Sequence, residues 1–326
     1  MSPVELEPPA IPPLSGTIPI LVTPFRPDGA VDLPQLEREL DFLLAAGVRW
    51  VGFGFGSEVP RLDPDELAET VEHAVRHAAG RLGVVGNAEL TSVKAGVGAV
   101  RRVAQTGAQL AMVRPTLPAG VEPEALFETF AEVAEQAGIP IVVQDAPQNT
   151  GVTLPAVTLA RLLSEVPMVA AVKVEPQAPA PKMSAIMRAL QGRPGTVIGG
   201  QGGLDYVHEL QRGSAGTMPG PAFPEVFELA AQQLLSGQRA EALRTHARVL
   251  PLITLGTRDM DTFLFVQKYV LQRRGILDAP VLRSPHTPLE AGLPEEVDEL
   301  ITDLELLPFF DRCASELRLA VGGNAD

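Results

Sequence analysis

The sequence of 326 residues contains little cysteine, lysine or tyrosine and has no long apolar run. Its single cysteine, Cys313, excludes an internal disulfide and a metal cage built from cysteines. No apolar run reaches the roughly 18 residues that a transmembrane helix needs. Lysine occurs at only four positions and tyrosine at two, Tyr206 and Tyr269, so any chemistry that needs these side chains has few candidates.

The charge balance is acidic, with 26 lysines and arginines against 40 aspartates and glutamates and a formal net charge of −14. Binding to nucleic acid needs a basic face that releases counterions, so this balance argues against it. Residues 1–15 are acidic and proline-rich and lack the basic start and apolar stretch of a secretory signal. We therefore expect a cytoplasmic protein that has neither nucleic acid nor membrane as a partner.

Short apolar runs alternate with longer segments of helical periodicity over residues 16–236. The predicted strands are residues 18–22, 50–55, 82–86, 110–114, 140–144, 168–174, 196–199 and 214–218. Each is followed by a helical segment, and the strands are near-continuous apolar runs, as in a parallel sheet that is covered on both faces. Eight such units predict an α/β fold, a (β/α)8 TIM barrel.

No strand is evident after residue 235, where three helical segments follow at residues 239–255, 260–274 and 295–317. We therefore divide the chain into an N-terminal arm (1–15), a barrel (16–236) and a C-terminal helical extension (237–326). No G-x-G-x-x-G follows the first predicted strand, which weakens a dinucleotide-binding interpretation. The five histidines lie on predicted helices or in the tail rather than at strand ends, so we expect no metal and no organic cofactor.

The sixth predicted strand carries the most informative residue, because Lys173 interrupts its apolar run. Strand alternation places Lys173 and Glu175 on one face and the neighbouring valines on the other, so Lys173 points into the barrel mouth. Burial favours the neutral amine, and a neutral amine is the form that attacks a ketone to give a Schiff base. The alternative is an ion pair between Lys173 and Glu175 with no catalytic role.

Two other strand ends carry polar residues that could contact a substrate. After the second predicted strand, Gly56 and Ser57 could hold a carboxylate, while Glu58 could act as a base or tie down the loop. At the end of the fifth, Gln144 could orient a substrate, and Asp145 could be an acid/base or a loop brace. Further candidate substrate-binding residues are Thr23 after the first strand, Gly200 in the glycine-rich segment after the seventh, and Met218 at the end of the eighth.

In the order and spacing of these residues, the chain resembles the dihydrodipicolinate synthase / N-acetylneuraminate lyase family of class I Schiff-base lyases. The resemblance covers nearly the whole chain and rests on Thr23-Pro24-Phe25, Gly54-Phe55-Gly56-Ser57-Glu58, Asp145-Ala146-Pro147, Val172-Lys173 and Gly213-Ser214-Ala215-Gly216. It implies that Lys173 forms a Schiff base with the keto group of a 2-oxo acid. It also implies a homo-oligomer, a tetramer or a dimer.

The chain departs from the family's synthases at the positions of their proton relay. Phe55 and Gly56 stand where those synthases carry threonines, Gln144 replaces the relay tyrosine, and Leu117 lies near the position of the tyrosine lent by a neighbouring subunit. The arginine that holds the second substrate's carboxylate falls near Gln148 or Asn149. The Gln-Asp-Ala-Pro turn and the Lys-x-Glu pattern are instead similar to the branch of 2-keto-3-deoxy-L-arabonate dehydratase-like proteins.

The sequence therefore predicts a lyase that forms a Schiff base through Lys173 and dehydrates a 2-keto-3-deoxy sugar acid. Glu58, Asp145 and Glu175 are the candidates for the acid/base work, and the residues do not rank them. A pyruvate-dependent aldolase and a dihydrodipicolinate synthase-like condensation are the alternatives within the enzyme class. A barrel that binds sugar acids without catalysis is the alternative outside it.

Overall fold

A computed structural model describes residues 13–322, with side chains as far as Leu319. Eight parallel strands form one sheet in the order β1-β8-β7-β6-β5-β4-β3-β2, and a parallel bridge between Ile20 and Gly52 joins its two edges. The strands are β1 (Gly16–Thr17), β2 (Trp50–Gly52), β3 (Gly83–Leu90), β4 (Leu110–Pro115), β5 (Ile141–Asp145), β6 (Val169–Val174), β7 (Val197–Gly199) and β8 (Gly216–Thr217). The predicted TIM barrel is confirmed.

Helices separate the strands and continue beyond them. They are α1 (Leu33–Ala45), α2 (Pro64–Ala78), α3 (Val93–Gln105), α4 (Pro123–Ala137), α5 (Pro147–Thr150), α6 (Ala156–Glu165), α7 (Pro179–Leu190), α8 (Tyr206–Leu210), α9 (Pro224–Leu235), α10 (Arg239–Ala247), α11 (Leu250–Gly256), α12 (Met260–Arg273), α13 (Leu293–Asp303) and α14 (Leu306–Gly322). Helix α2 begins after Asp63, whose carboxylate caps it by accepting from the N–H groups of Asp65 and Glu66 at 3.0 Å each.

Alternation along each strand divides the apolar residues between two layers. In β6, Val172 and Val174 belong to the layer between the sheet and the surrounding helices, whereas Ala171 belongs to the barrel interior with residues such as Ile20 and Met112. Because side chains alternate along a strand, Lys173 shares the inward face with Ala171. The interior below the lysine is therefore apolar and filled.

The first strand, β1, precedes the predicted residues 18–22, and the last strand, β8, is shorter than predicted; each has two residues. The chain nevertheless continues alongside β8, since the N–H groups of Ile18 and Ile20 donate to the carbonyls of Thr217 and Pro219 at 2.9 and 2.8 Å. Pro19 lies between them, and its carbonyl accepts from the N–H of Gly52 at 2.9 Å, so the extended segment also borders β2.

The extension contains more helices than its periodicity indicates. The predicted helix 239–255 is divided into α10 and α11, with Pro251 in the first turn of α11. The predicted helix 295–317 is divided into α13 and α14, with Glu305 between them in the left-handed region at φ +48°. The short helix α5 has no counterpart in the prediction, because four residues are too few to establish a helical period.

The extension packs against α9, the last helix of the barrel. Phe227 of α9 and Phe223, the residue before it, form one apolar cluster with residues of α11 to α14. Between residues 13 and 322, no helix combines the length and the apolar character needed to cross a bilayer. The predicted N-terminal arm, residues 1–15, lies outside the described residues except for its last three.

Candidate active site

Lys173 lies at the C-terminal end of β6 and is only 4% exposed. Its Nζ lies 3.0 Å from Oε2 of Glu175, the next residue but one on the same face. A buried lysine with one carboxylate at hydrogen-bond distance can pass its proton to that carboxylate and become a neutral nucleophile.

The Glu175 carboxylate is fixed from three directions. Gln144 Nε2 donates to Oε2 at 2.9 Å, and the N–H of Gln201 donates to Oε1 at 2.9 Å. Gly200 leaves the space that the carboxylate occupies, since a Cβ built at Gly200 would lie 2.5 Å from Cγ of Glu175. The lysine and the carboxylate are thus held in one geometry by residues of β5, β6 and the segment after β7.

A cavity of about 550 Å³ opens above this cluster at the C-terminal ends of the strands. Strand ends provide Gln144, Lys173 and Met218 to its wall, and the short helix α5 adds Gln148 and Asn149. The extension closes the opposite side with residues of α11 and α12 and the turn between them: Ile253, Gly256, Thr257, Asp259, Met260 and Phe263. The wall of this cavity contains both parts of the chain, the barrel and the extension.

The charges on the cavity wall are few. Lys173 is its only cationic side chain among the described residues, and Glu175 and Asp259 are its acids. Both oxygens of Asp259 are occupied as the cap of α12, accepting from the N–H of Thr262 at 2.9 Å and from its hydroxyl at 2.7 Å. Glu175, whose Oε2 lies 3.0 Å from Lys173 Nζ, is therefore the carboxylate nearest to a molecule bound at Lys173.

Two residues of the loop after β2 belong to the cavity wall. Phe55 and Gly56 line the cavity, and their N–H groups donate to no acceptor among the described residues. Ser57 has no donor left, because its N–H bonds to the Gly54 carbonyl at 2.9 Å and its hydroxyl to the Leu21 carbonyl at 2.6 Å. The predicted contact between Ser57 and a carboxylate is therefore replaced by a role in shaping the loop.

Three other predicted site residues do not line the cavity. Thr23 donates to the Ser57 carbonyl at 2.6 Å and ties the loop to the segment after β1. Gly200 lies behind Glu175. The Asp145 carboxylate turns away from Lys173 to Lys182 of α7 at 2.5 Å and to the N–H of Leu154 at 3.1 Å.

Asp145 is buried, and this burial raises the pKa of its carboxyl, while Lys182 opposes the shift. Its contacts are those of a brace between β5 and α7, which is the second of the two roles that the sequence leaves open. Glu58 is likewise held away from the cavity, with its side chain fully buried between Lys268, at 2.5 Å, and Arg61, at 2.9 Å.

The structure thus brings together Lys173, Glu175, Gln144, Gly56 and Met218. Sequence reasoning missed Gln201 and the residues of α12. Gln201 could have been identified as a site residue, because it is a polar side chain within the glycine-rich segment after β7. No signal existed for Met260 and Phe263, which read as part of an ordinary helix.

These features define an enzyme class: a TIM barrel with a buried lysine beside a carboxylate in a cavity at the C-terminal ends of its strands. The sequence model of the Dihydrodipicolinate synthetase family matches residues 13–304, and the chain belongs to this family of lyases and synthases.

Curated relatives include enzymes of two activities. A 4-hydroxy-tetrahydrodipicolinate synthase of Xanthomonas axonopodis pv. citri is 31% identical over 301 residues, which cover 89% of this chain and 94% of the relative. An L-2-keto-3-deoxyarabonate dehydratase of Azospirillum brasilense is 28% identical over 278 residues, which cover 83% and 88%. The crystal structure of dihydrodipicolinate synthase from Rhodopseudomonas palustris superposes with a TM-score of 0.81 at 28% identity, covering 88% of this chain and 97% of that one.

Proposed function

We propose that this chain is a Schiff-base-forming lyase that dehydrates a 2-keto-3-deoxy sugar acid. One observation carries the proposal: Lys173, Glu175 and Gln144 meet in a cavity whose remaining wall offers neutral amides and no second cation among the described residues. A polyhydroxylated tail suits amide donors and acceptors, whereas a second carboxylate would need an arginine or lysine.

The tyrosines support dehydration over the synthase reaction. Tyr206 is fully buried in the apolar cluster of the extension, and the Tyr269 hydroxyl donates to Asp298 at 2.9 Å. Neither lines the cavity, so no tyrosine stands in for the relay that the sequence lacks. Overall identity does not separate the two activities, since the synthase and the dehydratase relatives are 31% and 28% identical.

The proposed reaction begins with a proton transfer from Lys173 to Glu175 across their 3.0 Å contact. The neutral amine attacks C2 of the keto acid, and loss of water from the carbinolamine gives an iminium. The N–H groups of Phe55 and Gly56 hold the C1 carboxylate, and Lys173 lies beside it with the positive charge of the iminium.

The iminium then acts as an electron sink. A C3 proton leaves to a base, the enamine expels the C4 hydroxyl, and an acid protonates that hydroxyl so that it departs as water. In a five-carbon acid, loss of a C5 proton and protonation at C3 leave an enol at C4 and C5. Protonation at C4 and loss of the enol O–H proton then give the C5 aldehyde. Hydrolysis of the imine releases Lys173 and a 2-oxo acid semialdehyde, without a metal or organic cofactor.

We assign the acid/base work to Glu175, because it is the wall carboxylate that lies at hydrogen-bond distance from Lys173. Gln144 does not titrate and orients the substrate instead. Its Nε2 is bound to Glu175, and its buried Oε1 has no partner among the described residues, so this oxygen is free to accept from a substrate hydroxyl.

Borohydride trapping tests the Schiff base. Pyruvate and 2-keto-3-deoxy acids are incubated with the chain and the reductant, and the modified peptide is identified by mass. The adduct is expected on Lys173, and Lys94→Ala, which changes an exposed lysine of α3, should leave it intact. Absence of an adduct at Lys173 with each of these acids would refute the proposal.

Product analysis separates the remaining activities. A semialdehyde from a 2-keto-3-deoxy acid supports dehydration, whereas pyruvate and an aldehyde would identify an aldolase. Condensation of pyruvate with an aldehyde would identify a synthase, and an adduct without turnover would identify a binding protein. The cytoplasmic location and the dimeric or tetrameric assembly stay predictions, of which light scattering tests the second.

A further inference from the structure

The loop that carries Phe55 and Gly56 is held in an unfavourable backbone conformation at Glu58. Glu58 lies between two short 3-10 turns, Phe55–Ser57 and Val59–Arg61, and has φ +55° and ψ 28°. Residues with a Cβ rarely adopt this left-handed backbone conformation, whereas glycine adopts it readily. A glutamate at this position indicates that its side chain is needed to hold the turn.

The Glu58 side chain is held by three donors from two parts of the chain. Oε1 faces Lys268 Nζ at 2.5 Å, and Oε2 accepts from Arg61 at 2.9 Å and from the N–H of Arg283 at 3.0 Å. Both Glu58 and Lys268 are fully buried. A buried ion pair keeps its geometry because losing either partner leaves a charge uncompensated away from water.

Lys268 belongs to α12, the helix whose first turn borders the cavity. Its Nζ also donates to the Val281 carbonyl at 2.6 Å and lies 4.6 Å from the centre of the Phe25 ring. Glu39 of α1 is a second buried carboxylate near this lysine. Burial lowers the pKa of Lys268, and the two glutamates oppose that shift.

The loop and α12 also meet at the cavity itself. A Cβ built at Gly56 would lie 3.1 Å from Cγ2 of Ile20 and 3.3 Å from Cε1 of Phe263, so Gly56 fits between these two side chains. The same helix therefore touches the loop twice, at the cavity through Phe263 and below it through Lys268. A displacement of α12 or of Glu58 would move the N–H groups of Phe55 and Gly56.

We propose that Lys268 and Glu58 are positioning residues, whose buried ion pair clamps the Phe55–Gly56 turn to α12 and so aims its N–H groups at the carboxylate of a 2-oxo acid. The inference rests on the proposed function, because it assumes that this carboxylate is bound there. It makes substrate affinity depend on the extension, although Lys268 does not line the cavity.

The test measures trapping of pyruvate by the full chain with cyanoborohydride as a function of pyruvate concentration. In Glu58→Gln and Lys268→Met, the half-saturating concentration is expected to rise about tenfold or more, as after loss of one or two good hydrogen bonds. The limiting trapping rate should stay within about threefold, since Lys173 and its partners are untouched. The half-saturating concentration of the double variant should be no higher than that of the more affected single variant, because both substitutions remove the same interaction.

Glu225→Gln is the matched control. Glu225 of α9 is equally buried and paired with Arg274 at 2.7 Å, but the contacts of this pair do not include the loop after β2. It should lower stability while leaving the half-saturating concentration unchanged. Glu58→Gln, which keeps size and shape, carries the test if Lys268→Met does not fold.

An unchanged half-saturating concentration in a folded Glu58→Gln variant, or an equal rise in Glu225→Gln, would overturn the positioning role. Either result leaves the proposed function standing, because the adduct at Lys173 still forms. Failure of the unmodified chain to trap pyruvate or any 2-keto-3-deoxy acid would overturn both proposals.

Discussion

Gly200→Ala places one methyl group against the carboxylate that we assign to the acid/base work. Gly200 has φ −160°, an extended conformation open to any residue, so the substitution adds no backbone strain. The new Cβ would lie 2.5 Å from Cγ of Glu175 and closer still to its carboxylate. Comfortable contacts between such atoms are about 3.5 Å, so the Glu175 carboxylate has to move by roughly 1 Å.

That displacement breaks an arrangement of three hydrogen-bond donors around Glu175. A misplacement of about 1 Å can lower a rate about 100-fold, equivalent to about 2.7 kcal/mol of activation free energy. We therefore expect kcat for dehydration to fall about 100-fold in Gly200→Ala. The overpacking should also reduce the free energy of unfolding by about 1 to 3 kcal/mol.

The adjacent residue supplies the control. A Cβ at Gly199 would meet the buried side chain of Glu209 instead, at 2.8 Å from Oε1 and closer to Oε2. Gly199→Ala should lose comparable stability but keep kcat within a few-fold. Steady-state kinetics and urea unfolding of both variants decide the outcome. If folded Gly200→Ala keeps the kcat of the unmodified chain, the assignment of Glu175 is wrong.

Three further predictions concern the lysine, a buried acid and the barrel wall. Lys173→Arg should abolish both turnover and the borohydride adduct, since a guanidinium is not deprotonated at neutral pH; an adduct on another lysine would contradict this. Burial, together with repulsion from Asp205 and Glu175, raises the pKa of Glu209 to about 8 from 4.5. The neutral Glu209 carboxyl favours the folded state, and this contribution is complete below about pH 4.5 and is lost as the pH rises to about 8. The free energy of unfolding of Glu209→Gln, measured with urea, should therefore rise by up to about 4 kcal/mol relative to the unmodified chain between pH 5 and 8. An equal pH dependence of this free energy in both proteins would refute the prediction. Gly83→Ala would set a Cβ 2.6 Å from Cδ2 of Trp50 and closer to two other atoms of that ring. It should cost about 1 to 3 kcal/mol of stability by thermal unfolding, with no change expected in trapping at Lys173.

Much of the fold and the central residue of the site could be predicted from local sequence patterns. Strand alternation depends only on backbone geometry, so the inward direction of Lys173 follows from Val172 and Val174 alone. The start of α2 at Asp63 likewise depends on a few neighbouring residues. These features need no knowledge of which distant segments meet.

The roles of the acidic candidates could be assigned only from the tertiary structure. Alternation fixes no side-chain direction beyond the end of a strand, and both Glu58 and Asp145 lie beyond the strands that the sequence predicts, although β5 includes Asp145. The sequence therefore could not say whether either residue faces the cavity. Each is held by a lysine far along the chain, Lys268 in one case and Lys182 in the other. Neither lysine differs in local pattern from an exposed residue on a helix.

The sequence by itself determined an eight-unit barrel, a lysine at its mouth and the absence of the tyrosines that a synthase relay would need. These features depend only on the hydrophobic periodicity of each segment and on which residue types occur at which positions. Only the tertiary structure decided that Glu175 is the acid beside Lys173, that Phe55 and Gly56 of the loop after β2 line the cavity, and that α12 forms part of its wall. The physical reason is that a buried charge settles beside its strongest partner, and that partner is chosen by packing between segments as much as 210 residues apart.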